Sequence, residues 1–591
     1  MRAPLRRASA LLAAVAWLGC GGSDRPPPSP SAEVAALSEA YVARWLETFP
    51  HRATAAGHHA YDDRVPRPWG ATLERWIAEN RRMAAAARRL LDQGGLEFAD
   101  RHDLELLLRQ AELELFELEV QEVHRTNPLF WSGVLSATHT HLLVREDLPL
   151  DQRLASVAAR VAALPEVAAQ ARATLEATPV DRIAPELCEI AARQLRATAR
   201  FFREGLAGAA GDDTQRELLA GAGAQAAAAL DELAAFVEEM ATRATGSPRL
   251  GERYAERLRL VTGFEDGPDA LLQRGEAALA AKRAEVAAFG REIWSRYLDG
   301  EPPADHAEVA RRLFRRAADD HAASVEEFVA DYVSLLHEAE RFVEEHDVVT
   351  LPGELTVRTD RSPEYFLGQS VGGVYPAGPF APDSDTLFYL PTPPRSADDA
   401  QREAFFRDFN HHFNVMITPH EMIPGHYLQL KVAAHHPRQV RALFGDGVFT
   451  EGWGTFCERL MLDLGWGDDL ARAAHLKKQM ENIARTIVDV RVHTRGMTHD
   501  EVIEFVHDEA LQEAQFASNM WTRAITSTPQ ITSYWLGYEL VSRLFQDVRA
   551  ARGDAFVLRD FMDGVVSSGS LPVRAHREVL LGEGGGVESG L

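Results

Sequence analysis

Cysteine and positive charge are both scarce in this sequence. It contains only three cysteines in 591 residues, which excludes a scaffold held together by many disulfides. Cys188 and Cys457 lie in unrelated segments, so their spacing implies no bridge, and Cys457 is interpreted as a small core residue. The 63 Lys and Arg residues are outnumbered by 88 Asp and Glu residues, for a formal net charge of −25. This balance argues against nucleic acid or an anionic membrane surface as the main partner.

The N-terminal apolar run, residues 10–18, is too short to span a membrane. It follows three arginines and precedes Gly19-Cys20, a pattern typical of a secretory signal peptide. The small residue before Cys20 resembles a bacterial lipobox, although Trp17 stands where Leu is usual. We therefore predict lipidation of Cys20 after removal of the signal peptide over residues 1–20, or else a plain signal peptide cut nearby. Residues 21–35 are predicted to be a disordered tether that leaves the protein lipid-anchored in the cell envelope, facing the periplasm.

The remaining chain predicts a mainly α-helical fold with one small β-sheet. In residues 36–348 apolar side chains recur every third or fourth position, which indicates amphipathic helices, and we expect this region to form one wall of a cleft. Residues 349–352, 355–358 and 386–390 read as strands from their β-branched and aromatic content. Residues 349–591 would form the catalytic region, with this small sheet followed by further helices.

Two histidines and two glutamates carry the strongest chemical signal. His420 and His426 frame a seven-residue stretch that also contains Glu421, and Glu451 follows 25 residues later. Two imidazoles and one carboxylate form a three-ligand zinc set that leaves the fourth position open for water. We therefore predict His420, His426 and Glu451 as ligands and Glu421 as general base. The alternative is a capping box from Thr418 to Glu421, which leaves the two histidines and Glu451 without a purpose.

The six-residue spacing of the histidines requires a distortion of the backbone. In a regular helix six residues turn through roughly 600°, which places the two rings about 120° apart. Pro424 clashes with the carbonyl group of His420, and Gly425 accepts backbone angles that other residues avoid. A kink or bulge is therefore predicted here, and it could bring His426 back beside His420.

The combined motifs resemble the bacterial domain-of-unknown-function family 885, most strongly over residues 365–550. The residues that carry the resemblance are His420, Glu421, Pro424, Gly425, His426, Gln429, Glu451, Gly452, Trp453 and Glu458. The family looks like a divergent branch of the zinc metallopeptidases. The resemblance therefore implies a zincin-like, thermolysin- or neurolysin-like helical domain with a small sheet beside the active-site cleft. It further implies Zn²⁺ as cofactor and short peptides as substrates. Two departures concern the substrate: Pro529-Gln530 stands where the family has Pro-Gly-Gln, and Arg491 where it often has Gly.

Further site residues follow from residue chemistry and from this resemblance. Glu458 lies seven residues after the third ligand, on about the same helical face, so it is predicted to orient a ligand histidine from behind, or else to form a surface salt bridge. His493 and Tyr534 are catalytic candidates that would stabilise an oxyanion. Tyr538 and Arg523 are candidates for substrate binding, and Arg523 could pair with the terminal carboxylate of a peptide. The alternative is that these are ordinary core aromatics and surface arginines.

The small sheet is a second candidate for substrate binding. Residues 387–390 are predicted to form an exposed edge strand, which could pair with an extended peptide, and Gly372, Gly373 and Tyr375 would lie near the cleft. A purely structural hairpin is the equal alternative. We thus expect metal-assisted hydrolysis of a peptide or amide bond. Two rival functions stay open: hydrolysis of a small amino-acid derivative by the same metal site, or an inactive envelope lipoprotein that only binds. The sequence does not indicate an oligomeric state.

Overall fold

The computed structural model describes residues 29–353, 356–361, 363, 373–393 and 397–582, with only the backbone for Ala514 and Gln515. The signal peptide with Cys20, as well as Gly372, lies outside the described residues. The described chain is mainly helical with one small sheet, as the sequence predicts. Within it, no helix is both long and apolar enough to cross a membrane.

Fourteen α-helices precede the sheet in the described part of the chain. They are α1 Pro30–Thr48, α2 Pro50–Ala55, α3 Gly70–Gln93, α4 Phe98–Leu115, α5 Val123–Thr126, α6 Pro128–Ala137, α7 Thr140–Val144, α8 Leu150–Glu176, α9 Pro185–Arg200, α10 Asp213–Ala241, α11 Tyr254–Thr262, α12 Gly267–Tyr297, α13 His306–Ala318 and α14 Val325–Glu345.

The first helix begins inside the predicted tether. The side chain of Ser29 accepts a hydrogen bond from the backbone of Ala32 at 3.2 Å, and Pro30 occupies the first helical turn. A Ser N-cap followed by Pro is a strong helix start, because Pro has the right backbone angle and lacks only an N–H that the first turn leaves unpaired. Residues 30–35 are therefore helical, and the prediction of a disordered tether as far as residue 35 was wrong.

The sheet contains three strands, β1 Val357–Arg361, β2 Gly373–Tyr375 and β3 Thr386–Leu390, in the order β1-β3-β2. β3 pairs in parallel with β1 and antiparallel with β2, so it is the central strand. The prediction that residues 387–390 form an open edge was therefore wrong. Four of the five residues of β3 are buried, a nearly continuous apolar run typical of a strand covered on both faces. Residues 349–352, also predicted as a strand, form none.

Eleven α-helices follow the sheet in the described residues. They are α15 Asp399–Asp408, α16 His411–Glu421, α17 His426–Ala434, α18 Val440–Leu443, α19 Gly447–Asp463, α20 Asp469–Arg495, α21 His499–Asp508, α22 Ala514–Ser527, α23 Ser533–Arg552, α24 Leu558–Val566 and α25 Val573–Leu581. Residues 401–426, which contain both histidines of the motif, are divided among three helices, α15 to α17. Asn410 starts a new helix after α15 because its side chain caps the backbone of Phe413 at 3.1 Å.

The helices before and after the sheet share their hydrophobic packing. Leu271 and Leu279 of α12 belong to the same buried cluster as Ile483 and Ile487 of α20. A buried ion pair also joins the two parts, since Arg441 contacts Asp103 of α4 at 2.7 Å. Helix α20 is therefore supported along its length by the N-terminal helices, and it carries several residues of the site described next.

Candidate metal centre

Helix α16 ends where the two-histidine motif begins to turn. Its N-cap is Asn410, and Thr418 lies inside the helix, where its hydroxyl donates to the carbonyl group of Asn414 at 2.8 Å. Thr418 therefore does not cap a helix, and Glu421 does not close a capping box. The alternative reading of this motif as a structural cap was wrong.

The chain doubles back between Glu421 and His426. Helix α16 ends at Glu421, the Ile423–Pro424 peptide bond is cis, and α17 begins at His426. A Cβ atom on Gly425 would lie 2.0 Å from the carbonyl oxygen of His420, so only glycine permits this close return. The two imidazole rings meet with their centroids 4.6 Å apart and their planes 80° to each other. The histidines are thus brought together by a complete helix break, not by the kink or bulge predicted from the sequence.

Glu451 of α19 completes a convergent set of three donors. Its Oε2 lies 3.7 Å from Nε2 of His420 and 3.5 Å from Nε2 of His426. One ligand atom from each residue falls within 4.8 Å of the other two, and the described residues contain no other such group of three His, Cys, Asp or Glu. Donors about 2.1 Å from a tetrahedral zinc ion are about 3.4 Å apart. The separations of Glu451 Oε2 from the two imidazole nitrogens, 3.7 and 3.5 Å, therefore fit a shared ion.

The residues that follow Glu451 shape the space around it. A Cβ on Gly452 would lie 2.2 Å from the backbone of Gly537, so these two glycines let α19 and α23 touch. The indole N–H of Trp453 donates to the carbonyl group of Pro424 at 2.9 Å and ties α19 to the turn between the histidines. A Cβ on Gly454 would lie 2.9–3.0 Å from three atoms of the His420 ring, so this glycine makes room for the ring.

Glu458 lies behind His420, as the sequence predicts. Its Oε1 is 2.7 Å from Nδ1 of His420, its Oε2 is 2.8 Å from Nδ1 of His475, and its side chain is fully buried. A carboxylate at this distance accepts the Nδ1–H proton of His420, which leaves the Nε2 lone pair directed away from Glu458. Nε2 is the atom that faces Glu451 and His426. The contact therefore fixes the His420 ring with its Nε2 toward Glu451 and His426.

The charges in the site favour a bound cation. Burial acts to raise the pKa of Glu451, yet hydrogen bonding to His420 and His426 holds that pKa well below its usual value. Burial likewise disfavours a charged His420, but Glu451 and Glu458 raise its pKa well above the usual range. The partly buried carboxylate of Glu451 and the fully buried carboxylate of Glu458 thus draw positive charge into the site. A divalent ion can supply this charge in place of protons.

Glu421 is the last residue of α16 and immediately follows the ligand candidate His420. Its carboxylate is half-buried and makes no hydrogen bond or ion pair with any side chain or backbone group of the described residues. Burial, followed by the nearby charge of Glu421, raises the pKa of Tyr332 well above its usual value. Glu421 is therefore a carboxylate next to His420 whose acceptor oxygens have no partner among the described residues.

Arg523 and Tyr534 are connected to Glu451 through Gln530. The amide nitrogen of Gln530 lies 3.3 Å from Oε1 of Glu451, and its amide oxygen accepts from Arg523 at 2.7 Å. Nη2 of Arg523 is also 3.4 Å from the hydroxyl of Tyr534. The guanidinium of Arg485 lies over the Tyr534 ring, 4.6 Å from its centroid. The structure thus brings both predicted residues to the side of the metal ligands.

His493 and Tyr538 have other surroundings. Nε2 of His493 donates to the carbonyl group of Ala524 at 2.9 Å, and its Nδ1 accepts from the backbone of Leu250 at 3.1 Å. The ring is buried and stacked on Tyr254, and burial lowers its pKa to about 4. His493 therefore joins backbone segments and has no free nitrogen for a substrate. Tyr538 has its ring 6.4 Å from His475, and burial raises its pKa to about 12.

The β2 candidates face the N-terminal helices. The ring of Tyr375 lies 5.6 Å from that of His141 and 5.9 Å from that of Tyr389, and burial raises the pKa of Tyr375 to about 12. Gly373 has φ +123°, a backbone angle that favours glycine. No contact links either residue to the three metal-ligand candidates in the described part of the chain. Their role in substrate binding stays a prediction.

Sequence reasoning missed several residues that shape the site. His475 shares Glu458 with His420, Gln530 contacts Glu451, and Gly454 accommodates the ring of His420. The only available signals were the second glycine of the Glu-Gly-Trp-Gly motif and the position of Gln530 after a proline. Neither signal identifies a partner without the fold, because each contact joins segments far apart in sequence.

Comparison with known proteins identifies the family. The profile of the family described as "Bacterial protein of unknown function (DUF885)" matches residues 50–580, so the chain belongs to this family. A "putative lipoprotein of unknown function" from Shewanella oneidensis shares 25% identity and a TM-score of 0.75, covering 93% of this chain and 99% of its own. A "putative lipoprotein" from Colwellia psychrerythraea, 14% identical, has a TM-score of 0.75 and covers 93% and 98% of the two chains. No curated protein matches.

Proposed function

We propose that this protein is a zinc-dependent hydrolase that cleaves a peptide or amide bond. The observation that carries the proposal is the convergence of His420, His426 and Glu451 within 4.8 Å. Two imidazoles and a carboxylate are a donor set that zinc hydrolases use with an open fourth position. The contact between Glu458 and His420 supports the same reading, since metal-bound histidines usually donate their second N–H to a carboxylate.

Bound zinc supplies two effects, polarisation of the substrate carbonyl group and a water molecule that ionises near neutral pH. Glu421 would accept the proton of the attacking water and return it to the leaving nitrogen. Its position next to His420 and its lack of a protein hydrogen-bond partner in the described chain support this role. A carboxylate already paired with Arg or Lys would be a weaker base, because pairing lowers its pKa.

Tyr534 is the best-supported donor to the developing oxyanion. Its hydroxyl can accept from Arg523, and the same Arg523 holds Gln530 against Glu451. The phenol proton of Tyr534 is then available for a substrate oxygen. A donor aimed at the charge that develops in the transition state contributes about 3–4 kcal/mol to catalysis.

Metal content tests the first part of the proposal. Purified protein supplied with zinc should hold about one ion per chain, and His426→Ala should lose it. His435→Ala is the matched control, because His435 lies at the end of the same helix but contacts Asp383 at the surface. Loss of zinc in His426→Ala with retention in His435→Ala supports the ligand set. Absence of zinc from the wild-type protein would overturn the proposal of a zinc hydrolase. It would favour the alternative of an inactive lipoprotein that only binds.

Hydrolysis of short peptides and small acylated amino acids tests the second part. Glu421→Gln keeps the shape of the side chain but removes the base, so it should retain zinc and lose activity by a factor of about 10²–10⁴. Activity on small amides alone would identify the non-peptidase hydrolase. Unchanged activity in Glu421→Gln would exclude Glu421 as the base.

We also infer that the protein is a lipoprotein of the bacterial cell envelope. The N-terminal sequence that ends in Gly19-Cys20 and the names of the two similar structures support this location. Mass spectrometry of the N-terminus of the protein made in a bacterial host should find acyl chains on Cys20. Cys20→Ser should abolish them and release the protein from membranes. An unmodified N-terminus would indicate a plain signal peptide.

A further inference from the structure

A group of cationic side chains lies beside the candidate metal ligands. Arg523 reaches Glu451 through one intermediate, Gln530, by contacts of 2.7 and 3.3 Å. Adding the width of an amide group, Nη2 of Arg523 is at most about 9 Å from Oε1 of Glu451. Arg485 approaches from α20 and shares the ring of Tyr534 with Arg523, at centroid distances of 4.6 and 5.5 Å.

Positive charge exceeds negative charge in this group. Arg485 pairs with Glu481 at 2.5 Å, and Glu481 also contacts Lys478 at 3.1 Å. Burial acts to raise the pKa of Glu481, but Arg485 and Lys478 lower it to about 2. Within the described residues, no acidic side chain lies within ion-pair distance of Arg523. Among the described residues, the direct ion pairs of Arg485 and Lys478 thus share one carboxylate, Glu481, while Glu451 is separated from Arg523 by the amide group of Gln530.

Two guanidinium groups over one aromatic ring repel each other, and Glu481 pairs directly with only one of them, Arg485. Arg523 is partly exposed, so an external anion can reach it. Guanidinium groups bind carboxylates with two parallel hydrogen bonds, and this geometry makes Arg selective for planar anions. The group thus has the charge, access and donors that a carboxylate ligand requires.

The distance between Arg523 and the metal-ligand candidates determines how far the carboxylate of a substrate can be from the bond that is cleaved. In a peptide, the carboxylate carbon of the last residue is within about 4 Å of the preceding carbonyl carbon. A charge-assisted hydrogen bond adds about 2.8 Å. A carboxylate one residue beyond the cleaved bond can therefore reach Arg523 while the carbonyl group stays at the metal ligands.

We propose that Arg523, supported by Arg485, binds a substrate carboxylate on the residue directly after the cleaved bond. The inference rests on the proposed hydrolase and defines its substrate class as acidic peptides or amides. The carboxylate comes either from the C-terminus or from an Asp or Glu side chain. Arg523 is in this account a binding residue, and Arg485 strengthens the local positive charge.

Binding measurements on protein that cannot turn over test this proposal. Calorimetry would compare N-acetyl-Ala-Ala with its C-terminal amide, and N-acetyl-Ala-Glu-amide with N-acetyl-Ala-Gln-amide. Metal-free wild-type protein and zinc-loaded Glu421→Gln would both be titrated. We expect the acid of at least one pair to bind tenfold or more tightly than its neutral partner. Preference in the first pair identifies the C-terminal carboxylate, and preference in the second identifies the acidic side chain.

The variants assign the preference to Arg523. In Arg523→Ala and in the milder Arg523→Gln, the acid and its neutral partner should bind with affinities that differ by no more than about twofold. Arg495→Ala is the matched control, because Arg495 lies on α20 and forms an exposed ion pair with Asp269. Equal or undetectable binding of acids and neutral partners would overturn the proposed carboxylate site at Arg523. A preference for the acid that survives both Arg523 variants would overturn it as well. Failure of zinc binding with the preference intact would instead reject the hydrolase alone.

Discussion

Gly454→Ala separates the role of the metal site from ordinary helix stability. Alanine favours an α-helix over glycine by about 1 kcal/mol, so helix propensity alone predicts a more stable protein. The added methyl group would, however, lie 2.9 Å from Cε1 and 3.0 Å from Cγ and Cδ2 of His420. Non-bonded carbon atoms normally approach to about 3.5–4.0 Å, so the ring must move by about 0.5–1 Å.

His420 has little freedom to make that movement. Its Nδ1 is held at 2.7 Å by the fully buried Glu458, and the ring is 4% exposed. A metal site tolerates displacements of about 0.2 Å in its bond lengths, so the shifted ring would lose its place in the ligand set. We expect Gly454→Ala to weaken zinc binding by at least 10–100-fold and to change the free energy of unfolding of the metal-free protein by −2 to 0 kcal/mol, as roughly expected for overpacking partly offset by helix propensity.

The assay is a competition titration with a chromogenic zinc chelator, together with urea unfolding of the metal-free protein. Gly221→Ala is the matched control, since Gly221 lies inside the exposed face of α10 with nothing within 4 Å of its added Cβ. It should gain about 0.5–1 kcal/mol of stability and keep wild-type zinc affinity. If folded Gly454→Ala binds zinc as tightly as Gly221→Ala does, the described packing of the His420 ring is incorrect.

Three other changes have defined outcomes. Glu458→Gln leaves one acceptor oxygen for two histidines and should weaken zinc binding about 10–100-fold, measured by the same titration; unchanged affinity would deny Glu458 its orienting role. Trp453→Phe leaves the carbonyl group of Pro424 without its donor and should reduce the free energy of unfolding by about 1–3 kcal/mol in urea; no loss would mean that this contact is not stabilising. Burial raises the pKa of Asp489 to about 7 in the folded protein, from an ordinary value of 3.8. The contribution of Asp489 to the free energy of unfolding is therefore greatest at low pH, and it is lost as the pH rises through 7. Unfolding between pH 5 and 8 should therefore reveal a decline of about 3 kcal/mol that Asp489→Asn removes; an identical pH profile in the variant would contradict the assignment.

The sequence is most informative where one motif carries both chemistry and backbone constraints. Helical periodicity predicts the mainly α fold, and the comparison with the family profile confirms the family. The pair Pro424-Gly425 indicates that the helix cannot continue regularly past His420. It does not distinguish a kink from a complete break, because both relieve the same proline clash. The new start at His426 depends on tertiary contacts such as that of Trp453 with the turn.

Features that depend on long-range contacts were not predictable from the sequence. The edge or centre position of β3 depends on which strands pair with it, and local composition does not contain that information. His493 resembles a catalytic residue until Ala524 and Leu250 are seen to occupy both its nitrogens. Gly452 and Gly537 similarly acquire meaning only when α19 meets α23.

The most direct test of the zinc hydrolase is the position of the metal itself. Crystals of the zinc-loaded protein would be measured above and below the zinc absorption edge, and the anomalous difference map would locate the ion. The account predicts one strong peak about 2.0–2.2 Å from Nε2 of His420, Nε2 of His426 and a carboxylate oxygen of Glu451. A peak elsewhere in the protein, or none at these three side chains, would contradict the proposed metal centre.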